Sequence, residues 1–144
     1  MASRAWFDVL ASRAPHLTAG DFRWQPMPDT DEDAAAVLVL FGPSGAQADV
    51  VIIERTAHMR SHAGQPAFPG GRMDPGETPT QTALREAAEE VGLDPNSVDV
   101  VAELPQLWLP PSRFKVTPVL GWWNSPHDLH TLNDQEVSAV HRVP

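Results

Sequence analysis

The sequence predicts an α/β sandwich built on a mixed sheet. Two apolar runs of strand length, AAAVLVLF (34–41) and DVVIIER (49–55), are rich in β-branched residues. A helix with both ends marked occupies about 79–91, and further strand-like segments lie at 98–104 and 114–121. Strands mixed with a few helices, in no strict alternation, give that class.

The 144 residues fit one domain, 1–144, of a size that buries roughly 68–70% of its unfolded surface. With 42% apolar and 20% charged residues the chain falls in the globular class. It has no cysteine, so disulfides, thiolate nucleophiles and cysteine-ligated zinc are excluded. A formal net charge of -9 argues against general nucleic-acid or anionic-membrane partners, which require basic surfaces. No apolar run approaches the ~20 residues of a spanning helix. A cytoplasmic location is the default expectation.

The opening residues 2–14 read as a surface helix carrying Trp6, Val9, Leu10 and Arg13 and ended by Pro15, rather than as an organelle presequence. PMPDTDED (26–33) is an acidic connector. The strands at 34–41 and 49–55 form a buried pair across the turn GPSG (42–45). From Thr56 to Gly76 the sequence breaks into Gly, Pro, His and Arg, too irregular for an element and too long for a simple connector. LWLPPS separates the two later strands, and LNDQEVSAVHRVP begins a last one.

The helix is delimited by residue chemistry. Thr78 is placed to cap it, with Pro79 in the first helical position and Gln81 completing a capping box. Gly92 suits the left-handed residue after the end, and Pro95 prevents resumption. At 100° per residue, Leu84, Ala87, Ala88 and Val91 share one side and Glu86, Glu89 and Glu90 the other. Exposed like charges at this spacing cost only about 0.2–0.5 kcal/mol per pair, so a solvated face is allowed. The preceding segment shifts the balance. Gly70, Gly71 and Gly76 permit tight backbone, Glu77 adds a fourth carboxylate, and Arg85 stands beside the ridge to pair with these groups. Such oxygen donors suit a hard divalent cation, Mg²⁺ or Mn²⁺.

Gly71, five residues, Glu77, seven residues and then Arg85-Glu86-Ala87-Ala88-Glu89-Glu90-Val91-Gly92-Leu93 resembles the Nudix box at every fixed position. Ala87 is smaller than the bulky aliphatic residue often found there. The resemblance implies the Nudix α/β/α sandwich and metal-dependent hydrolysis of a nucleoside diphosphate linked to another group. It implies Glu86, Glu89 and Glu90 as metal ligands, with the carbonyl of Gly71 as a further one. Glu77 becomes a supporting or water-mediated ligand and Arg85 an orienter of carboxylates.

Upstream, Ile52, Arg55, Arg60, Gly64, Phe68, Pro69, Gly70 and Gly71 resemble the signature of the coenzyme A branch of that family. Departures are Ile53 for threonine, Thr56 for serine and Pro66 for valine. This resemblance implies cleavage of coenzyme A or its thioesters to 3′-phosphoadenosine 5′-phosphate and 4′-phosphopantetheine. Arg55 and Arg60 would then meet the phosphates, with Gly64, Phe68 and Gly70 in the substrate site. A Nudix hydrolase of ADP-ribose or damaged nucleoside triphosphates, or a non-catalytic nucleotide sensor, are the alternatives.

Other candidates are less specific. His58 and His62 stand four apart, but no helix is indicated there to make them a metal pair. Trp108 and Phe114 serve equally as a wall of the substrate site or as core, while Trp122 and Trp123 read as structural. Glu136 and Glu103 are rival general bases, alongside the box glutamates. The partner expected is a small molecule; oligomeric state, a dimer included, stays open. Val137, Val140 and Val143 set out an element just where the chain stops, and relatives in the coenzyme A branch commonly continue with another helix. Whether the chain is truncated after Pro144 stays open; a missing helix would leave one sheet face uncovered.

Overall fold

The computed structural model describes residues 5–14, 34–44, 47–56, 65–109, 114–132 and 137–144. A helix α1 (Ala5–Arg13) precedes β1 (Ala34–Ser44) and β2 (Gln47–Arg55). The short strands β3 (Pro66–Ala67) and β4 (Gly70–Arg72) lead to α2 (Pro79–Val91). A single 3₁₀ turn at Pro95–Ser97 opens into β5 (Val98–Glu103), followed by β6 (Leu107–Leu109), β7 (Phe114–Trp123) and β8 (Val137–Val143). All eight strands join one mixed sheet, as the sequence predicts. Among the described residues, no helix is long and apolar enough to cross a membrane.

β1 is the spine. It runs parallel to β7 from Ala34↔Lys115 to Phe41↔Trp122. Its other edge is shared, with β4 antiparallel at Ala35–Val37 and β2 antiparallel at Phe41–Ser44. Beyond Val50, β2 leaves β1 and pairs instead with β8 and with β3. The chain from Pro66 to Arg72 therefore wedges into the fork between β2 and β1, and Leu38 N–H donates to Pro69 O (2.7 Å) at its apex. The irregular stretch after Thr56 thus contains two strands that its Gly-Pro composition hides.

Tertiary pairing also lengthens other elements. The first hairpin continues to Ser44↔Gln47, past the expected turn at 42–45, because cross-strand pairing holds Gly42 and Pro43 extended. LWLPPS begins with β6, which pairs with β7 through Leu107↔Val116 and Leu109↔Phe114. Pro118, with no N–H to give, falls where β5 has ended and β6 has yet to pair. In β8 a register shift opposite Glu54/Arg55 takes up one extra residue. That lets Val137 and Val140 both join the core on one side, despite their odd spacing.

Two apolar layers sandwich the sheet. Under α2 lie Leu38, Leu40, Val51, Ile53, Val119 and Trp123, packed against Ala83, Ala87 and Val91. On the opposite face α1 covers Leu120 and Trp122. The anchoring residue is Phe7, fully buried, with ring centroids 5.2 Å from Trp122 and 5.7 Å from Phe41. The expected surface helix is therefore turned differently: Phe7, Ala11 and Ala14 face the sheet, while Val9 and Leu10 are exposed. The side chain of Trp6 lies outside the described residues. Over β2 and β8 the same face carries half-buried Val50 and Ile52 and the exposed Val143. Trp122 and Trp123 are both buried, the latter donating from Nε1 to Ser97 Oγ (3.0 Å), which makes them structural as expected.

Phe7→Ala is expected to destabilise the fold by about 3–5 kcal/mol through the cavity left between α1 and the sheet. Chemical denaturation followed by tryptophan fluorescence measures this directly.

Candidate functional site

α2 starts and stops where its sequence predicts. Thr78 has extended backbone and its side chain accepts from Gln81 N–H, while the Gln81 side chain accepts from Thr78 N–H (2.9 Å). Gly92 ends the helix at φ 76°, a left-handed conformation that disfavours a side chain. Tertiary contacts complete both ends. Glu103, at the end of β5, accepts from Thr80 N–H (3.1 Å) and Thr80 Oγ1–H (2.8 Å) through Oε2. At the far end Glu90 O and Val91 O accept from Leu132 and His130 N–H (both 2.9 Å), satisfying carbonyls the helix leaves open.

The carboxylates of α2 and its leading loop gather on one guanidinium. Arg85 grips Glu77 with two parallel bonds, Nε to Oε2 (2.8 Å) and Nη2 to Oε1 (3.0 Å). Its Nη1 donates to Glu86 Oε1 (3.0 Å) and Glu89 Oε2 (3.2 Å), and its Nη2 also donates to Arg72 O (3.1 Å). Asp74 adds a carboxylate oxygen 3.5 Å from Nη2. The hydrogen bonds Arg85 donates to Glu77, followed by the charge of Glu86, hold it more firmly protonated than a free arginine. Glu77 is locked further by Asp74 N–H (2.8 Å) and by the hydroxyl of buried Thr82 (2.9 Å). Its carboxyl is lowered from the ordinary 4.5 to about 2, chiefly by the Arg85 hydrogen bonds and then by the Asp74 amide.

The three box glutamates do not share one environment. Glu89 is 59% exposed and Glu86 16%, whereas Glu90 is 2% exposed. This corrects the expected outward ridge. α2 lies with Ala83, Ala87 and Glu90 all turned inward, so Glu90 belongs to the buried face. Small side chains at 83 and 87 allow that close approach, and the carboxylate finds a donor in the fork: Gly70 N–H reaches Glu90 Oε1 at 2.9 Å. Arg55, at the end of β2, brings Nη1 to 3.9 Å from Glu90 Oε2, an ion-pair separation rather than a hydrogen bond.

Both glycines of the fork are required by close approach. A Cβ on Gly70 would strike Ala36 O and come within 2.7 Å of Val37 Cα. One on Gly71 would lie 2.7 Å from the Glu86 carboxyl carbon. The backbone of Gly71 and the Glu86 carboxylate thus form a cradle that only the missing Cβ leaves open. Its donors, carboxylates and a backbone carbonyl, are all oxygens and fit a hard divalent cation. Among the described residues, no three acidic or histidine side chains yet converge as a finished metal site. The carboxylates are instead turned to Arg85 and Gly70.

Of the other candidates, Phe68 is half-buried between β3 and β4, in the same fork. Arg60, Gly64, His58, His62 and Glu136 lie outside the described residues, as do the side chains of Trp108 and Phe114. Glu103 is held at the start of α2, where it accepts from Thr80. Thr82 and the Asp74 amide are the contacts that sequence reasoning missed; a threonine one turn into a helix carries no signal that it will hold a carboxylate five residues earlier.

Glu77→Gln is expected to lower the melting temperature at neutral pH. A depressed carboxyl stabilises the fold above its unfolded value near 4.5, and this contribution disappears as pH falls through about 2. Melts of wild type and variant should therefore draw together between pH 4.5 and 2.

Comparison with known proteins agrees with this geometry. The model of the NUDIX domain matches residues 31–144. Nudix hydrolase 3 of Caenorhabditis elegans is 40% identical over 139 residues, covering 94% of this chain and 54% of its own length. Nudix hydrolase NudL of Escherichia fergusonii is 43% identical over 100 residues, covering 68% and 50%. The chain spans about half the length of the curated relatives it matches. Among solved structures, RenU, a Nudix hydrolase from M. smegmatis, superposes with a TM-score of 0.61 at 30% identity, over 78% of this chain and 70% of its own. With its glutamate-bearing helix, glycine fork and mixed sheet, the chain belongs to the Nudix family.

Proposed function

We propose that the chain hydrolyses the diphosphate linkage of coenzyme A or its thioesters, using Mg²⁺ or Mn²⁺. One observation carries this reading: Glu90 of the box accepts from Gly70 N–H and stands 3.9 Å from Arg55. Both partners belong to the upstream arginine-glycine signature. The general hydrolytic motif and the coenzyme A-like motif, read separately in the sequence, meet at one carboxylate.

In this reading Glu86, Glu89, Glu90 and the carbonyl of Gly71 hold the cation. A bound divalent ion neutralises diphosphate charge and acidifies water. The protein's own residues supply the rest. Arg85 holds Glu86 and Glu89 on one flank of α2, where they would meet a cation, and it anchors Glu77 in support. The glycine fork fixes Gly71 against Glu86. Water adds to one phosphorus, the bond from that same phosphorus to the bridging oxygen breaks, and the bridging oxygen leaves on the other phosphoryl group, giving two phosphate monoesters with release of a proton. Arg60 is assigned to the 3′-phosphate, a group that ADP-ribose lacks.

Incubation with coenzyme A and Mg²⁺, with product identification by mass spectrometry, tests the assignment. The expected products are 3′-phosphoadenosine 5′-phosphate and 4′-phosphopantetheine, with Glu90→Gln slower by on the order of 10²-fold or more. Dephospho-coenzyme A, ADP-ribose and nucleoside triphosphates should be poorer substrates, and Arg60→Ala should narrow the gap between coenzyme A and its dephospho form. Faster turnover of ADP-ribose or a triphosphate would move the substrate elsewhere in the family.

A further inference from the structure

Glu90 is a buried carboxylate in the fork. Oε1 takes the Gly70 N–H, and the carboxylate faces Arg55, whose side chain is itself only 17% exposed. Burying a charge is costly unless a counter-charge comes with it. Arg55 is firmly held to that task. Its backbone N–H donates to Gln65 O (3.1 Å), tying β2 to the wedge, and the register shift of β8 falls at Glu54/Arg55. Two residues earlier Ile53 packs into the core beneath α2, so the strand's alternation puts Arg55 on the same side as Glu90.

Resting on the proposed metal-dependent reaction, we infer that Arg55 is a positioning residue: it is the built-in counter-cation that keeps the Glu90 carboxylate seated against Gly70 in the metal-free protein. This differs from the substrate contact that the arginine signature by itself suggests. A residue that meets only substrate phosphate adds nothing to the metal-free protein, whereas a counter-cation is needed most when metal is missing.

The test is a double-substitution cycle read by thermal melting, metal-free and with saturating Mn²⁺. Arg55→Met should lower the metal-free melting temperature by on the order of 5–10 °C. Arg55→Lys, which keeps the charge, should recover part of that loss. In a Glu90→Gln background the loss from Arg55→Met should largely vanish, because the buried charge has gone. Mn²⁺ should raise the melting temperature of Arg55→Met more than that of wild type. Equal losses from Arg55→Met in both backgrounds, or none in either, would overturn the inference. If Arg55→Met alone does not fold, recovery of folding by adding Glu90→Gln supports it and continued failure overturns it. Coenzyme A turnover by the wild type is a separate readout. Its absence alongside a non-additive cycle removes the proposed substrate and leaves the role of Arg55 standing; turnover alongside an additive cycle does the reverse.

Discussion

The crowding of negative charge at the start and along one flank of α2 is the constraint around which this fold is arranged. Glu77, Glu86 and Glu89 all end on the guanidinium of Arg85, and Glu90 ends on Gly70 and beside Arg55. Without those partners, four carboxylates in a chain of net charge -9 would repel one another across a helix and its leading loop. Arginine suits this work because its planar fork binds Glu77 through two atoms while a third serves Glu86 and Glu89.

The sheet supplies what the charges need. β1 shares one edge between β4 and β2, and the chain from Pro66 to Arg72 fills the fork between them. That wedge brings two glycines beneath α2. At Gly70 the neighbouring strand's backbone excludes any side chain, and at Gly71 the Glu86 carboxylate occupies the space a Cβ would take. The small residues Ala83 and Ala87 lower the helix onto this surface, so backbone amide and carboxylate meet at hydrogen-bonding distance. Packing and electrostatics are therefore one problem here: a bulkier helix face would lift Glu90 off its donor.

The helix is also held from outside the motif. Glu103 caps its first turn from β5, and the segment around His130 and Leu132 closes its last carbonyls. These contacts fix where along the sheet α2 lies, which a motif confined to residues 71–93 cannot specify. On the opposite face, Phe7 packed at a tilt against Phe41 and Trp122 backs the same central strands. The platform beneath the carboxylates is thus packed from both sides.

Much of this was legible in the residues alone. The strands at β1, β2, β5 and β7, the limits of α2 and its caps follow from local rules of periodicity and capping, which depend on neighbours in the chain. The spacing of Gly71, Glu77, Arg85, Glu86, Glu89 and Glu90 likewise named the family, because it is a property of sequence. Periodicity could not say how α2 is rolled on the sheet. It divided the helix into an apolar side and an acidic side, whereas the fold buries Glu90 with the alanines because Gly70 offers an amide there. The wedge strands β3 and β4, the bulge that turns both Val137 and Val140 inward, and the choice of Phe7 over Val9 and Leu10 were also settled by distant partners. Hydrogen bonds and burial between segments far apart in the chain leave no periodic trace in either one, so only the assembled tertiary structure decides them.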